Sequence, residues 1–356
     1  MSILYIAKPC ESMLSGSDVL GEKTCLYLKN LGVNVVILKL WSDWVGDLWN
    51  SKLPFRRKLC KCIIKYIFMP SHLKLIQPSD VVWVNGVGLP FDPTVIFEKE
   101  IKRIGARYIF HLQDNWFANE HQRLLAVRRV AMADLIVVPT LKLQNILMSM
   151  GCEAPVERLE EPINCDRFSQ DQHALHSNNM IKLLWAGNPN NINELNDLDQ
   201  IVQQIDNVSR VELVVICGYK RPMLNLQTHW TWIPYSPEAE SEVSSQIDIA
   251  LAPVKKTPYS ECKGSYKVKT YMAAGIPVVA SAVGHQAHLV EHGVTGYLAN
   301  SDAEWIKYLT ILIDDSILRT KMRSASRLRA KQMFSHDTVM NSWASCLLSY
   351  FKQIGH

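Results

Sequence analysis

The chain has 356 residues, a length that favours two domains of roughly 150 to 200 residues over a single core. Its 48% hydrophobic and 20% charged residues exclude a disordered or fibrous protein, and its net charge of +4 is too small to indicate a nucleic-acid partner. The nine cysteines show no repeated CxxC spacing, which argues against a disulfide framework or a structural zinc site. No apolar run is long enough for a signal peptide or a membrane span, so we expect a cytoplasmic protein.

Strands and helices alternate along the first half of the chain, and the pattern then restarts. Buried strands are predicted at 3–8, 33–40, 81–88, 107–113 and 135–140, and again at 181–188, 210–218, 248–254 and 276–283. Helical spacing separates them at 21–32, 95–105, 119–133, 194–206 and 266–275. Such alternation is typical of two α/β domains, each with a doubly wound, Rossmann-like parallel sheet.

The predicted domains are 1–163 and 164–333, with the join where Pro155, Pro162 and a cluster of glutamates interrupt the periodicity. Open parallel sheets bind ligands at the carboxyl ends of their strands, so we expect the two domains to face a cleft. The last segment, 334–356, is predicted as a helix that begins at Ser335 or Asp337 and crosses back onto the first domain.

Residues 263–284, KGSYKVKTYMAAGIPVVASAVG, place three lysines directly before an apolar strand. Lysines rarely approach a core strand without a partner, so an anionic ligand is one interpretation. A solvated helix start is the other, and the residues alone do not decide between them.

The string 269–299, with its small-residue helix, Gly-x-Pro-Val-Val turn and HGxTGxL loop, resembles the donor-binding segment of GT-B glycosyltransferases of group 1, or family 4-like. The strand at 133–140, EEPINCDRF at 160–168 and FSHDTVMNSW at 334–343 are similar to that family in the same order. The resemblance covers essentially the whole chain. It implies the two-domain GT-B fold and the transfer of a sugar from a nucleotide-diphosphate sugar to a glycan or lipid-linked saccharide, as in the assembly of bacterial-type surface polysaccharides or glycoconjugates.

The family's site residues are carried over by the resemblance. Lys267 stands where the family places the lysine that binds phosphate, with Thr270 on the same helical face. The donor side would also include Gly187, Lys263, Gly284 and Glu291, and the acceptor side Ser15, Gly16 and His111.

The chain departs from the retaining members of the superfamily, which carry two glutamates at positions held here by Cys262 and Thr270. Lys267-x-x-Thr270 is similar instead to the Lys-x-x-Gln of an inverting group typified by the xanthan glucuronosyltransferase. An inverting reaction needs a general base, and the candidate is Asp114, which follows a first-domain strand. Asp114 could equally cap the helix that follows, and the stereochemical outcome stays open.

No metal or cofactor is expected beyond the donor. Asp197 and Asp199 match a metal-binding Asp-x-Asp, but they lie in a polar stretch with helical spacing, which favours a solvated helix start.

Residues 52–74 contain seven lysines and arginines and no acid, with Leu59, Cys62, Ile63, Tyr66 and Ile67 at helical spacing among them. A basic amphipathic helix is typical of binding to an anionic membrane surface, here its inner face. The alternative is a surface helix that packs on its own domain.

Two other functions remain open at this stage. A sugar-nucleotide epimerase of the same fold would turn over its donor without an acceptor. A degenerate, non-catalytic partner subunit would bind the nucleotide without any turnover.

Overall fold

The structure is a computed structural model that describes residues 3–8, 22–86, 94–168, 180–206 and 208–354. The described chain divides into two compact units. The first unit contains the residues up to Glu161, the short stretch Cys262–Gly264 and the chain from Val339 onward. The second unit contains Pro162–Glu261 and Ser265–Thr338.

The first unit is built on a six-stranded parallel sheet, as the alternation of elements predicts. Its strands are β1 (Leu4–Lys8), β2 (Val35–Lys39), β3 (Val81–Asn85), β4 (Arg107–His111), β5 (Leu135–Val138) and β6 (Val156–Arg158). Their order is β2-β1-β3-β4-β5-β6. All neighbours are parallel, and the point at which the chain order of the strands reverses lies between β1 and β3. Its helices are α1 (Glu22–Asn30), α2 (Asp43–Asn50), α3 (Arg56–Ile63), α4 (Met69–Leu73), α5 (Ile96–Ile104), α6 (Glu120–Val130) and α7 (Leu141–Ser149), with a π-helical turn at Ile64–Phe68 between α3 and α4.

The second unit has its own six-stranded parallel sheet. Its strands are β7 (Ile181–Ala186), β8 (Val211–Ile216), β9 (Trp230–Ile233), β10 (Ile249–Ala252), β11 (Val278–Ser281) and β12 (Gly296–Ala299). Its helices are α8 (Glu194–Val202), α9 (Pro237–Ser244), α10 (Tyr266–Ala273), α11 (Gln286–Leu289), α12 (Asp302–Asp314) and α13 (Ser316–Phe334). The order β12-β11-β10-β7-β8-β9 is that of a Rossmann sheet, in which ligands bind where β7 and β10 meet and the order reverses.

The last helix, α14 (His336–Ile354), returns the chain to the first unit, as predicted. It begins at the predicted cap Ser335, whose hydroxyl accepts a hydrogen bond from the backbone N–H of Thr338 at 3.3 Å. The indole of Trp343 is fully buried and stacks on Trp83 with ring centroids 5.2 Å apart. Its Nε1 donates to the carbonyl oxygen of Glu160 at 2.8 Å, so the buried polar group is satisfied.

Three strands escaped the sequence-based prediction: β6, β9 and β12. Each lies at an edge of its sheet, where one side of the strand is unpaired, and none has a long apolar run in its sequence. Gly296 opens β12 because a Cβ at this position would collide with the carbonyl oxygen of Val278 in β11. Among the described residues, no helix combines the length and the apolar character that crossing a bilayer requires.

Candidate functional site

A lysine, a glycine, a tryptophan and a glutamate meet at the carboxyl end of β7, where the strand order of the second unit reverses. The ammonium of Lys267 lies 4.4 Å from the ring centroid of Trp185 and 3.4 Å from Oε2 of Glu194. A Cβ on Gly187 would approach the Trp185 ring to 2.8 Å and the Lys267 ammonium to 3.4 Å. The position therefore admits only glycine, because a larger residue would collide with the Trp185 ring beside the Lys267 ammonium.

Helix α10 holds the lysine in this place. The hydroxyl of Tyr271 accepts a hydrogen bond from the backbone N–H of Ala186 at 2.7 Å, which fixes the helix against the last residue of β7. At the start of α10, Ser265 has a left-handed backbone (φ 57°) and its side chain does not cap the helix. The amino terminus of a helix carries the positive end of the helix dipole, which is a usual environment of a bound phosphate.

The burial of the lysines in the structure distinguishes the two interpretations of this segment. Lys269 is fully buried and Lys267 is about a fifth exposed (22% of its side chain), so a wholly solvated helix start is wrong. Thr270 is also buried, and its hydroxyl makes no hydrogen bond to any described residue. A buried hydroxyl without a partner is costly, and it lies one turn from Lys267 on the same helix.

Trp185 and Glu194 belong to the cluster but were missed from the sequence. Oε2 of Glu194 accepts a hydrogen bond from Nε1 of Trp185 at 3.2 Å and also pairs with Lys267. The carboxylate thus orients both the indole and the ammonium. The only signal in the sequence is the position of the two residues. Trp185 is the second-last residue of a buried strand, and Glu194 is the first residue of the α-helix that follows.

Gly284 and Glu291 lie in the loops that follow β11 and α11. Gly284 is left-handed (φ 58°), and a Cβ there would lie 2.8 Å from the carbonyl oxygen of Glu261. Its role in the structure is therefore to allow this close approach. The carboxylate of Glu291 pairs with Arg329 of α13 at 3.1 Å, which ties its loop to the end of the second unit.

Lys263 belongs to a different unit from Lys267. It lies in the stretch Cys262–Gly264, which packs with the first unit. The carbonyl oxygen of Cys262 accepts a hydrogen bond from the hydroxyl of Thr140 at 3.0 Å, and the Cys262 side chain is buried in the hydrophobic core of that unit. The position at which retaining relatives carry a glutamate thus holds a core residue here.

Asp114 is half-buried in the turn that follows β4. A short 3-10 turn, Trp116–Ala118, separates it from α6, whose cap is Asn119. The Asn119 side chain accepts hydrogen bonds from the backbone N–H groups of His121 at 3.0 Å and Gln122 at 3.3 Å. The alternative in which Asp114 caps this helix is therefore wrong, and its carboxylate remains a candidate for chemistry at the carboxyl edge of the first sheet.

His111 lies in the core and does not fit contact with an acceptor. Its ring is fully buried and meets Trp83 and Trp343 edge to face, with centroids 5.7 Å and 6.1 Å away. Neither ring nitrogen has a hydrogen-bond partner among the described residues, and burial lowers its pKa to about 3. The other acceptor-side candidates, Ser15 and Gly16, lie outside the described residues.

This buried imidazole predicts a specific acid sensitivity. Because the folded state disfavours the charged ring, the unfolded state binds more protons between the unperturbed pKa of about 6.5 and the folded value, which is about 3. The stability contributed by neutral His111 is complete above pH 6.5 and falls by up to about 1.4 kcal/mol per pH unit below it. We expect His111→Phe to flatten that part of the profile in denaturant titrations. The same profile after His121→Gln, at an exposed site, should match the wild type, and a His111→Phe profile parallel to wild type would contradict the assignment.

The Asp-x-Asp pair is part of α8, as the helical spacing predicts, but only Asp197 is solvated, so the expectation of a solvated helix start is wrong for Asp199. The carboxylate of Asp199 is buried and accepts hydrogen bonds from the backbone N–H groups of Gln227 at 2.8 Å and Thr228 at 2.9 Å. Asp197 pairs with Lys255 at 2.8 Å. Both carboxylates have partners that explain them without a metal.

The basic segment forms an almost continuous helix from Arg56 to Leu73 that exposes two kinds of side chain. The buried residues of this helix are Cys60, Ile64 and Met69, which are spaced four and then five residues apart. The π-helical turn accounts for the five-residue spacing and turns the residues between outward. We define the basic apolar surface as the exposed side chains Leu53, Phe55, Leu59, Tyr66 and Ile67, which are 52–77% exposed, together with Arg57, Lys58, Lys61 and Lys65.

Comparisons with known proteins agree with this arrangement. Residues 181–315 match the family model described as glycosyl transferases group 1, and no curated protein matches the chain at a significant level. Among solved structures, the chain is similar to a sucrose-phosphate synthase from Thermosynechococcus elongatus (14% identity, TM-score 0.76, 99% of this chain and 100% of that one).

Two further structures are similar over nearly the whole chain. HepE from Anabaena, solved with UDP and glucose, shares 14% identity at a TM-score of 0.71 over 98% of this chain and 100% of that one. The lipopolysaccharide outer core galactosyltransferase WaaB shares 14% identity at a TM-score of 0.66 over the same shares. Residues 181–315 thus match the model of group 1 glycosyl transferases, and the chain has the fold of the GT-B glycosyltransferase structures to which it is similar.

Proposed function

We propose that the protein transfers a sugar from a nucleotide-diphosphate sugar to a glycan or lipid-linked saccharide, with net inversion at the anomeric carbon. The observation that carries this proposal is the Lys267 cluster, which meets a glycine backbone at the point where the strand order reverses. A diphosphate is the ligand that a lysine and a helix amino terminus fit together.

The proposed reaction needs one proton acceptor and one stabilised leaving group. The acceptor hydroxyl attacks the anomeric carbon while its proton passes to the carboxylate of Asp114. The bond between that carbon and the diphosphate oxygen breaks, and the electron pair leaves with the nucleoside diphosphate. The Lys267 ammonium and the first-turn amides of α10 stabilise the negative charge that develops on this oxygen.

Inversion is supported by what replaces the family's glutamates. Cys262 is buried in the core of the first unit and Thr270 is 2% exposed, so neither position offers a carboxylate to a sugar. The proposed donor site uses no metal, since both carboxylates of the Asp-x-Asp pair are engaged within the second unit.

Activity can be followed as the release of nucleoside diphosphate from UDP-, dTDP-, GDP- and ADP-linked hexoses in the presence of a bacterial membrane lipid extract as acceptor. We refer to this measurement as the release assay. Acceptor-dependent release from one of these donors supports the proposal. Release that is equally fast without the lipid extract would instead indicate turnover of the donor alone.

We also propose that the basic apolar surface binds the anionic inner face of a membrane. Exposed aromatic and aliphatic side chains cost little in the lipid interface, and cations among them attract anionic headgroups. The lysines at 58 and 65 lie 5.9 Å and 5.5 Å from the rings of Phe55 and Tyr66, so charge and apolar area occur on the same surface. A lipid-linked acceptor would be concentrated at that membrane.

Replacing Arg57, Lys58, Lys61 and Lys65 by Ser should release the protein from vesicles that contain phosphatidylserine. At roughly 1 kcal/mol for each cation near anionic lipid, partitioning should fall by about two orders of magnitude or more. Arg56 is left in place because its guanidinium holds the carbonyl oxygens of Trp49 and Leu53.

The matched control removes the same charge from other exposed sites. Its changes are Lys29, Lys142, Lys220 and Lys352 to Ser. If co-sedimentation falls equally in both variants, the effect is one of net charge and the surface has no special role. Unchanged co-sedimentation of the first variant would show an ordinary surface helix.

A further inference from the structure

A fully buried ion pair lies beneath the turn that carries Asp114. Nε of Arg129 in α6 donates to Oε1 of Glu98 in α5 at 2.7 Å, and both side chains are 0% exposed. The remaining guanidinium nitrogens, Oε2 of Glu98 and the hydroxyl of Tyr108 make no hydrogen bond among the described residues. Burying charges whose hydrogen bonds are partly unmet is costly. A pair of apolar residues would hold α5 and α6 together equally well.

The guanidinium has a second contact that points to its role. Its central carbon lies 5.9 Å from the ring centroid of Trp116, within the range of a cation–π interaction. On its other sides the indole meets Phe110, with centroids 5.8 Å apart, and Gly86, where a Cβ would lie 3.8 Å from the ring. The Trp116 ring is therefore held by a cation from α6, a ring of β4 and the glycine that follows β3.

Trp116 also fixes the backbone of the turn. Its N–H donates to the carbonyl oxygen of Asp114 at 2.9 Å, which closes the turn between the end of β4 and the 3-10 segment. The orientation of the indole and the position of Asp114 are thus connected through one hydrogen bond across a single intervening residue, Asn115. A displacement of a reacting group by about 1 Å can reduce an enzymatic rate about a hundredfold.

We propose that Glu98 and Arg129 are positioning residues that, through Trp116, hold the carboxylate of Asp114 in place for proton transfer. This inference rests on the proposed role of Asp114 as the general base. It assigns a function to an ion pair that adds little to stability by itself.

The test replaces both members of the pair, Glu98→Leu with Arg129→Met, so that no unpaired charge remains buried. We expect a melting temperature close to wild type and faster hydrogen–deuterium exchange confined to residues 112–119. In the release assay, kcat should fall about ten- to a hundredfold, with little change in KM for the donor. In a triple variant with Asp114→Asn, the rate should be no lower than in Asp114→Asn alone.

Ala126→Gly is the matched control, because it weakens the buried face of α6 and leaves Glu98, Arg129 and Trp116 in place. It should lower stability and leave exchange of the turn and kcat as in wild type. If the double variant does not fold, Trp116→Leu applies the same test at a half-buried site, with Trp116→Phe expected to retain most of the rate.

Three results would overturn the inference: unchanged exchange at 112–119, an unchanged kcat, or a loss that adds fully to that of Asp114→Asn. Failure of the base assignment looks different. In that case Asp114→Asn itself would turn over at the wild-type rate, whatever the exchange measurement shows, and the positioning role would fall with it.

Discussion

Asp114→Asn is expected to reduce turnover in the release assay by about a hundredfold or more, while the protein remains as stable as wild type. The amide keeps the shape of the side chain but cannot take up the acceptor's proton. Stability should hold because α6 is capped by Asn119 and the 3-10 turn has no side-chain cap. Affinity for nucleoside diphosphate should also hold, since the Lys267 cluster belongs to the second unit.

The control for this prediction is Asn119→Ala, which removes the true cap. It should cost about 1 kcal/mol of unfolding free energy and leave turnover close to wild type. Near-wild-type turnover of Asp114→Asn would exclude it as the base. A retaining mechanism, which needs no such group, would then be the better account.

Lys267→Met should weaken binding of the nucleoside diphosphate about ten- to a hundredfold, the effect of losing one charge-assisted contact. Affinity for the bare nucleoside should change little, because only the phosphates meet the ammonium. Methionine retains an unbranched stem over the Trp185 ring, so the packing at the end of β7 is largely kept. Calorimetric titration with UDP, GDP and ADP, each beside its nucleoside, measures both affinities.

Lys255→Met provides the comparison for Lys267. This lysine lies in the same unit, is 79% exposed and pairs with Asp197, so its loss should leave diphosphate binding unchanged. Equal diphosphate affinity in Lys267→Met and wild type would remove Lys267 from the site.

The central strands of both sheets could be predicted because each is an apolar run buried on both faces. The edges could not: β6 is three residues long and exposes Glu157 and Arg158, and β12 begins with a glycine. In both cases the segment forms a strand because it pairs with a neighbouring strand, and the sequence of the segment alone does not indicate that pairing.

The proposed donor side can be divided in the same way. Lys267 and Gly187 could be named from the resemblance to the family, whereas Glu194 joins them only through the packing of α8 and α10 near β7. Capping of α6 by Asp114 was a reasonable alternative from the sequence, but a 3-10 turn delays the start of the helix to Asn119. Likewise, the π-helical turn that exposes Tyr66 and Ile67 depends on the five-residue spacing of buried contacts, which periodicity analysis does not anticipate.

The most direct test of the central claim follows the sugar itself. Each nucleotide-diphosphate hexose, radiolabelled in the sugar, is incubated with the protein and the membrane lipid extract in the presence of EDTA. We expect label to appear in the lipid fraction, with one nucleoside diphosphate released for each sugar transferred and with none released when the extract is omitted. Donor turnover without transfer, or tight diphosphate binding with no turnover for any donor, would contradict the account and indicate an epimerase or a non-catalytic subunit respectively.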